Sequence, residues 1–357
     1  MKKKIVIITV SICLIVSTFF LLQSLLMPKY VSDVREGSLI AEYYNEEKYD
    51  HDVVFVGDCE VYENFSPITL WKNYGIKSYI RGSAQQLIWQ SYYLMEETLK
   101  YEKPDVMVFN VLSMKYGEPQ SEAYNRLNID GMKWSSSKWN AILSSMTEEE
   151  SIIDYVFPLL RFHERYQELT SEDFKYMFGG KPQLSHNGFL MRSDVLPVTQ
   201  IPEAQPLSDY QFSSRCYEYL DKMVKLCQDN GVKLVLIKAP SLYPAWYDEW
   251  DEQIKQYAKE NNVEYINFLD HIEDIGLDFQ KDTYDAGLHL NLSGAEKLAD
   301  YFGQYLVDKY HIEDSRNDAD SLSRWNQKVK LYEDMVKDQE RELKEYGYLK
   351  SYGAKEK

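Results

Sequence analysis

Five short apolar runs punctuate the chain, and between them the apolar positions shift to helical spacing. "DVVFVGD" (52–58), "KSYIRGSA" (77–84), "PDVMVFNVLS" (104–113), "VKLVLIKAP" (232–240) and "VEYINFL" (263–269) read as strands. Their apolar stretches are continuous rather than alternating, which predicts strands covered on both faces. "SPITLWKNYG" (66–75) reads as a helix capped by Ser66, with Pro67 at its first position and Gly75 past its end. "QQLIWQSYYLMEETLKYE" (85–102), "SSRCYEYLDKMVKLCQDNG" (213–231) and "DEWDEQIKQYAKENN" (248–262) follow as amphipathic helices, the second closed by Gly231. "SGAEKLADYFGQYLVDKY" (293–310) is the last core helix, with Ser293 and Glu296 in capping-box spacing. Strands alternating with helices predict an α/β fold, a three-layer parallel sheet with helices on both faces.

The alternation stops between Met114 and Tyr210, which predicts a mainly helical insertion at about 114–210, ending in the loop-like "KPQLSHNGFLMRSDVLP". A lid or acceptor-binding role and a plain structural cap both fit such an insertion. In the polar tail, Trp325, Val329, Tyr332 and Val336 make a stripe that Glu340 breaks, which predicts one amphipathic helix packing on the domain or a partner. Its end, "GYLKSYGAKEK", is expected to fray. At the other end, Lys2, Lys3 and Lys4 precede an uncharged run from Ile5 to Met27. That run is just long enough to cross a hydrocarbon core of about 30 Å. A cleavable signal peptide competes, but "LLQSLLMPKY" offers no small-residue cleavage site, which favours an uncleaved signal anchor. The lysines then place the N-terminus in the cytoplasm and the bulk of the chain outside it. The expected organisation is a signal anchor at 1–28, a juxtamembrane segment at 29–50 that is helical in part, a core domain at 51–312 with its insertion, and a helical tail at 313–357.

Composition narrows the function. The 357-residue chain carries a net charge of −17 with no Lys/Arg cluster beyond the N-terminus, which argues against nucleic acid as a partner. No Cys-x-x-Cys or His-Glu-x-x-His spacing occurs, so neither a metal nor another cofactor is expected. Of four cysteines, Cys13 lies in the apolar run, and Cys216 and Cys227 lie three turns apart on one helix, too far for a disulfide, as core residues do.

The fourth, Cys59, stands where the first strand ends in a turn. Ligand crevices in such sheets lie beyond the carboxyl ends of the strands, and Cys59, Gly82 and Asn110 sit at or just past the ends of three successive strands. Near the other end of the domain, "DTYDAGLHLNLSGAEKLADYF" places His289 in a turn before a helix, closely preceded by Asp282 and Asp285. An imidazole with a neighbouring carboxylate can act as the base and orienter of a nucleophile. A histidine that only caps the turn is the plain alternative.

With Cys59 and His289 taken together, the chain resembles the SGNH (GDSL-like) hydrolase superfamily over roughly residues 50–112 and 230–310. In "GDC", Cys59 takes the seat of that family's serine. The resemblance implies oxyanion donors at Gly82 ("RGSAQQ") and Asn110 ("FNVLS"), and an acid–base pair in Asp285 and His289 ("DAGLHLN"), with Asp282 in reserve. The ending "HLN…GAEK" is similar to a cell-surface branch that includes the alginate O-acetylation proteins and the D-alanine transfer protein of teichoic acid synthesis. It implies an extracytoplasmic acyl transferase or esterase acting on a cell-envelope glycan or an acyl-carrying substrate, with a membrane-bound O-acyltransferase as partner. Three departures stand out: Cys replaces Ser, the Asp–His spacing is one residue longer than Asp-x-x-His, and the Asn block lacks Gly-x-Asn-Asp. A thiol is more acidic than a hydroxyl, and the helix following the turn is expected to lower its pKa further, while Asp58 and Glu60 oppose this if they point inward. The competing reading is a catalytically inactive module that binds glycan or scaffolds the acyltransferase. No resolving cysteine accompanies Cys59, which argues against thiol redox chemistry.

Overall fold

The computed structural model describes residues 2–27, 37–178 and 183–352. The five apolar runs form strands β1 (Val53–Gly57), β2 (Ser78–Gly82), β3 (Val106–Asn110), β4 (Lys233–Lys238) and β5 (Glu264–Asn267). All pairs are parallel and the order is β2-β1-β3-β4-β5. The chain steps from β1 outward to β2 and back across to β3, so the connections diverge between β1 and β3 and open a crevice at their carboxyl ends.

Along the chain, α1 (Lys2–Leu26) is the apolar N-terminal helix, and α2 (Ser38–Glu42) lies in the stretch before β1, which is described from residue 37; residues 28–36 lie outside the described residues. A single turn, α3 (Cys59–Tyr62), follows β1, then α4 (Pro67–Tyr74) and α5 (Ile88–Tyr101). The insertion holds α6 (Glu122–Ile129), α7 (Ser136–Ser145), α8 (Ile152–Val156), α9 (Pro158–Phe162) and α10 (Ser171–Phe178). The second half adds α11 (Ser214–Asn230), α12 (Asp248–Asn261), the short α13 (Ile272–Ile275), α14 (Leu292–Tyr310) and α15 (Ala319–Tyr346).

Alternate strand residues serve opposite cores, which is why β1, β3 and the middle of β4 are continuous apolar runs. Phe55, Val108 and Ile237 pack with α4, α14 and α15; Val56, Phe109 and Leu236 pack with α5, α11 and α12. Cys216 and Cys227 are free and buried in the second core. The Ser66 hydroxyl accepts from Thr69 N at 3.2 Å, as a helix cap should.

Two local expectations are corrected. The cap of α14 is Asn291, whose side chain accepts from Gly294 N, while the Ser293 hydroxyl donates to Asp282 and Glu296 accepts from Tyr332. The tail does not fray from Gly347: Leu349 is buried and the Tyr352 hydroxyl donates to Met191 O at 2.7 Å, while residues 353–357 lie outside the described ones.

The tail stripe packs on the domain. Trp325, Tyr332 and Gln339 are buried along one face of α15, and Trp325 stacks on Trp71 of α4 at 5.1 Å between centroids. The end of the insertion, residues 183–198, is an irregular strap along the free edge of β2. Ile80 N donates to Asn187 O, Leu190 N to Tyr62 O, and Leu292 N to Arg192 O, so the strap joins the turn after β1 to the start of α14. Truncation of the stacked indole, Trp325→Ala, is expected to cost about 3–5 kcal/mol. Urea unfolding checks this: an unchanged midpoint would mean that α15 is not part of the cooperative unit.

Candidate active site

The turn after β1 is built to present one side chain. From Val53 to Trp71, Cys59 is the only residue that is not buried. Gly57 permits the turn, because a Cβ there would lie 2.5 Å from Val61 Cγ2 and 3.0 Å from Asn110 Cβ. Asp58 then caps α3, its Oδ1 accepting from Glu60 N at 3.2 Å.

Beneath the turn lies a buried polar cluster. Lys238, at the end of β4, donates to both carboxylate oxygens of Glu60 at 2.8 and 3.0 Å, and neither side chain reaches solvent. Asn110, at the end of β3, donates to Glu60 at 2.9 Å and to Asp58 at 3.1 Å, and its oxygen accepts from Ala239 N. Both amide hydrogens of Asn110 are thereby spent inside the domain. In this arrangement the side chain expected to serve as an oxyanion donor braces the turn. Gly82 lies beside Gly57 in the sheet register, and a Cβ on it would lie 3.1 Å from Gly57 O and 3.4 Å from Asp58 O.

The loop before α14 brings His289 to the same crevice. Thr283 Oγ1 accepts from Gly287 N and donates to His289 O, and Tyr243 donates to Asp285 O. Gly287 has φ +102°, and a Cβ there would crowd Val198 and Leu242. Asn64, five residues after Cys59, accepts from Leu290 N at 2.8 Å and so ties this loop to the segment that follows the Cys59 turn.

Asp285 meets the ring: its Oδ2 lies 2.6 Å from His289 Nδ1, and its Oδ1 accepts from His289 N. Asp282 is turned away, taking Ser293, Lys297 and the Asp278 amide. Nδ1 therefore carries the proton donated to Asp285, which leaves Nε2 for the thiol. Nε2 is buried and makes no hydrogen bond of normal geometry, although the ring and the Cys59 thiol lie close enough to shift each other's pKa. Such contacts commonly tighten only when substrate is bound.

Three groups here escape a reading of the sequence. Glu63, one helical turn beyond Cys59, places Oε2 3.5 Å from His289 Nδ1, buried and without a hydrogen-bond partner. Its four-residue spacing from Cys59 is the signal that could have found it. Arg192 comes from the strap, pairs with Asp194 at 2.9 Å, and lies between the rings of Tyr284 and Tyr352 at 4.5 and 4.4 Å. Tyr284 in turn stacks on His289, with centroids 5.9 Å apart. No sequence signal marks Arg192. Lys238, a lone charge closing an apolar strand, was visible but had no partner to point to.

The charge balance departs from expectation. Burial pushes the Cys59 thiol up; the His289 charge pulls it down, and Asp58 and Glu63 push it up again, so the net shift is upward. The thiol reaches solvent yet is densely surrounded, and that crowding dominates. A helix of one turn whose cap is a carboxylate supplies too little positive field to lower it. Burial also pushes Asp58 up to about 6, helped by the Glu60 charge. Burial disfavours the His289 imidazolium, but Glu63, Cys59 and the hydrogen bond the ring donates to Asp285 outweigh it and lift the ring well above its ordinary value. Glu63 itself is raised by burial, against the pull of His289.

No protein-family model and no curated protein sequence matches the chain. Among solved structures, the chain is similar to a "putative acylhydrolase" from Bacteroides fragilis, with 13% identity over 76% of this chain and 95% of that one, at a TM-score of 0.36. It is also similar to a GDSL-like lipase from Bacteroides thetaiotaomicron, with 14% identity over 76% of this chain and 99% of that one, at 0.34. A third similar structure is a "putative lipolytic protein of G-D-S-L family" from Desulfitobacterium hafniense, with 14% identity over 72% of this chain and 99% of that one, at 0.34.

Two outcomes are expected from this geometry. Lys238→Met leaves Glu60 charged and unpaired, and is expected to cost about 3–5 kcal/mol in chemical unfolding, largely restored by adding Glu60→Gln; a neutral single variant would show that the pair does not brace the turn. Glu63→Gln removes a charge that raises both Cys59 and His289. The pH profile of Cys59 alkylation by iodoacetamide should therefore shift to lower pH, and an unmoved profile would show that Glu63 exerts no field on the pair.

Proposed function

We propose that the chain is a membrane-anchored, extracytoplasmic enzyme that hydrolyses or transfers an acyl ester through Cys59, His289 and Asp285. Its substrate class is a cell-envelope polysaccharide or wall polymer. The observation that carries the reading is the pairing at the crevice: a solvent-reaching cysteine on a buried turn faces a buried imidazole whose far nitrogen is clamped by Asp285 at 2.6 Å. The resemblance of "GDC" and "DAGLHLN" to the SGNH pattern supports it. α1 supports the anchor, being long and apolar enough to cross a bilayer, a property it shares with signal sequences.

The chemistry follows from the atoms present. The resting pair is a thiol beside a protonated ring, so one proton must leave before the reaction starts. Nε2 then takes the proton from Sγ, and the thiolate attacks the acyl carbonyl carbon. The negative charge that develops on the carbonyl oxygen falls to the backbone amides of Cys59 and Gly82, the latter beside Gly57 in the sheet, two residues before Cys59. The departing alkoxide takes the proton back from Nε2, leaving a thioester on Cys59. Water or a sugar hydroxyl then gives its proton to Nε2, attacks the thioester carbonyl and releases the thiolate, which recovers the proton. Asp285 keeps Nδ1–H in place and steadies the imidazolium.

One observation favours the second reading, a non-catalytic SGNH-like module that binds glycan or scaffolds a membrane-embedded O-acyltransferase: the thiol is raised rather than lowered. A single experiment separates the two. The full chain is incubated with p-nitrophenyl acetate, and Cys59 acylation is followed by mass spectrometry. The enzyme reading expects a thioester on Cys59 that turns over, with acylation slowed about 10²–10⁴-fold in His289→Ala. Equal, slow acylation in both proteins would establish the non-catalytic module.

A further inference from the structure

The insertion carries an apolar surface that the proposed chemistry does not use. Ile153, Phe157, Leu160, Phe174 and Phe178 are between 44% and 74% exposed on α8, α9, α10 and the residue joining the first two. This surface adjoins α1. Elements α9, α10 and the turn His163–Gln167 pack against that helix. The ring of Phe157 meets Phe19 edge-on at 5.8 Å. Arg165 donates to Leu26 O and Met27 O at 2.9 and 2.8 Å, closing the last turn of α1, and is itself held by Asp173 at 3.1 Å.

We propose that α8, α9 and α10 form a platform seated in the surface of the lipid bilayer, on the side where α1 emerges, with these apolar side chains at the boundary of the acyl chains. The proposal rests on α1 spanning the bilayer. Given that span, depth follows from helix geometry. Phe19 lies seven residues before Leu26, about 10 Å back along the axis. A phenylalanine level with Phe19 is therefore well inside the interfacial zone, at the depth of about 5–10 Å to which surface-seated helices bury their apolar faces.

Lipid suits the patch better than a protein partner because the patch continues the apolar surface of α1. The two arginines nearby are paired within the chain, Arg161 with Glu122 at 3.1 Å and Arg165 with Asp173, so no free guanidinium marks the patch for an acidic protein surface. The platform is also fixed to the rest of the domain. Arg126 of α6 lies under the rings of Tyr155 and Phe162 at 4.3 and 5.0 Å and donates to Asp154 O. Seating it would set the orientation of the whole domain on the membrane, where a single anchor helix would leave it free to swing.

The test uses the full chain carrying Cys13→Ser and Cys59→Ser, in which the remaining thiols, Cys216 and Cys227, are buried. Nitroxides are attached singly through Ile8→Cys, Ile153→Cys, Leu160→Cys or Lys259→Cys, and the protein is reconstituted into phosphatidylcholine vesicles. Collision rates with oxygen and with a water-soluble nickel complex are then compared. Positions 8, 153 and 160 are expected to favour oxygen several-fold over nickel, and position 259 the reverse. If position 8 is lipid-like while 153 and 160 are water-like, the anchor stands and the platform is overturned, leaving a membrane-embedded protein as the occupant of the patch. If position 8 is water-like, the anchor reading fails and the platform fails with it.

Discussion

The buried pair between Glu60 and Lys238 is the constraint on which the site depends. Two opposite charges with no exposure to solvent are expensive to desolvate, and they are tolerated because every strong partner is in place. The ammonium takes both carboxylate oxygens and a backbone carbonyl, and Asn110 satisfies Glu60 from the other side. One end of the cluster is the turn after β1, and the others are the ends of β3 and β4. Three strand ends are locked together, and Cys59 is the side chain left facing out. An apolar substitute of similar volume could fill the same space, but it would not orient the turn with comparable directionality.

Above that brace, the crevice carries an unusual proton arrangement. A cysteine nucleophile ordinarily benefits from a lowered pKa, and here burial and two carboxylates hold it up. The same Glu63 that opposes the thiolate also holds His289 protonated. The thiol and the imidazole are thus both pushed toward their protonated forms. The aromatic and guanidinium stack of Tyr352, Arg192, Tyr284 and His289 steadies the ring from the solvent side, using residues from the tail, the strap and the histidine loop.

The additions to the sheet are therefore not passive covers. The strap that ends the insertion bonds to both halves of the site, at Tyr62 O and at the amide of Leu292, while α15 closes one face of the sheet through Trp325 and Tyr332. The front part of the insertion turns the other way, toward α1. One segment between β3 and α11 thus connects the proposed anchor, the free sheet edge and the candidate site.

The sequence by itself determined the repeating architecture. Continuous apolar runs marked β1, β3 and β4 because both faces of a parallel sheet are buried, their alternation with helical segments placed β2 and β5, and Ser66, Gly75 and Gly231 marked helix ends because capping is local chemistry. Cys59 and His289 were legible for the same reason: each sits at a turn whose neighbours in sequence create it. The choice between Asp285 and Asp282, the inward use of Asn110, and the arrival of Glu63 and Arg192 belonged to the tertiary structure. Asp285 and Asp282 lie within seven residues of His289, and only the path of the loop decides which carboxylate faces the ring. The partner of Glu60 lies 178 residues away. Periodicity and spacing report on backbone and burial, but a side chain's partner is set by where distant strands end, and that is fixed only when the sheet is assembled.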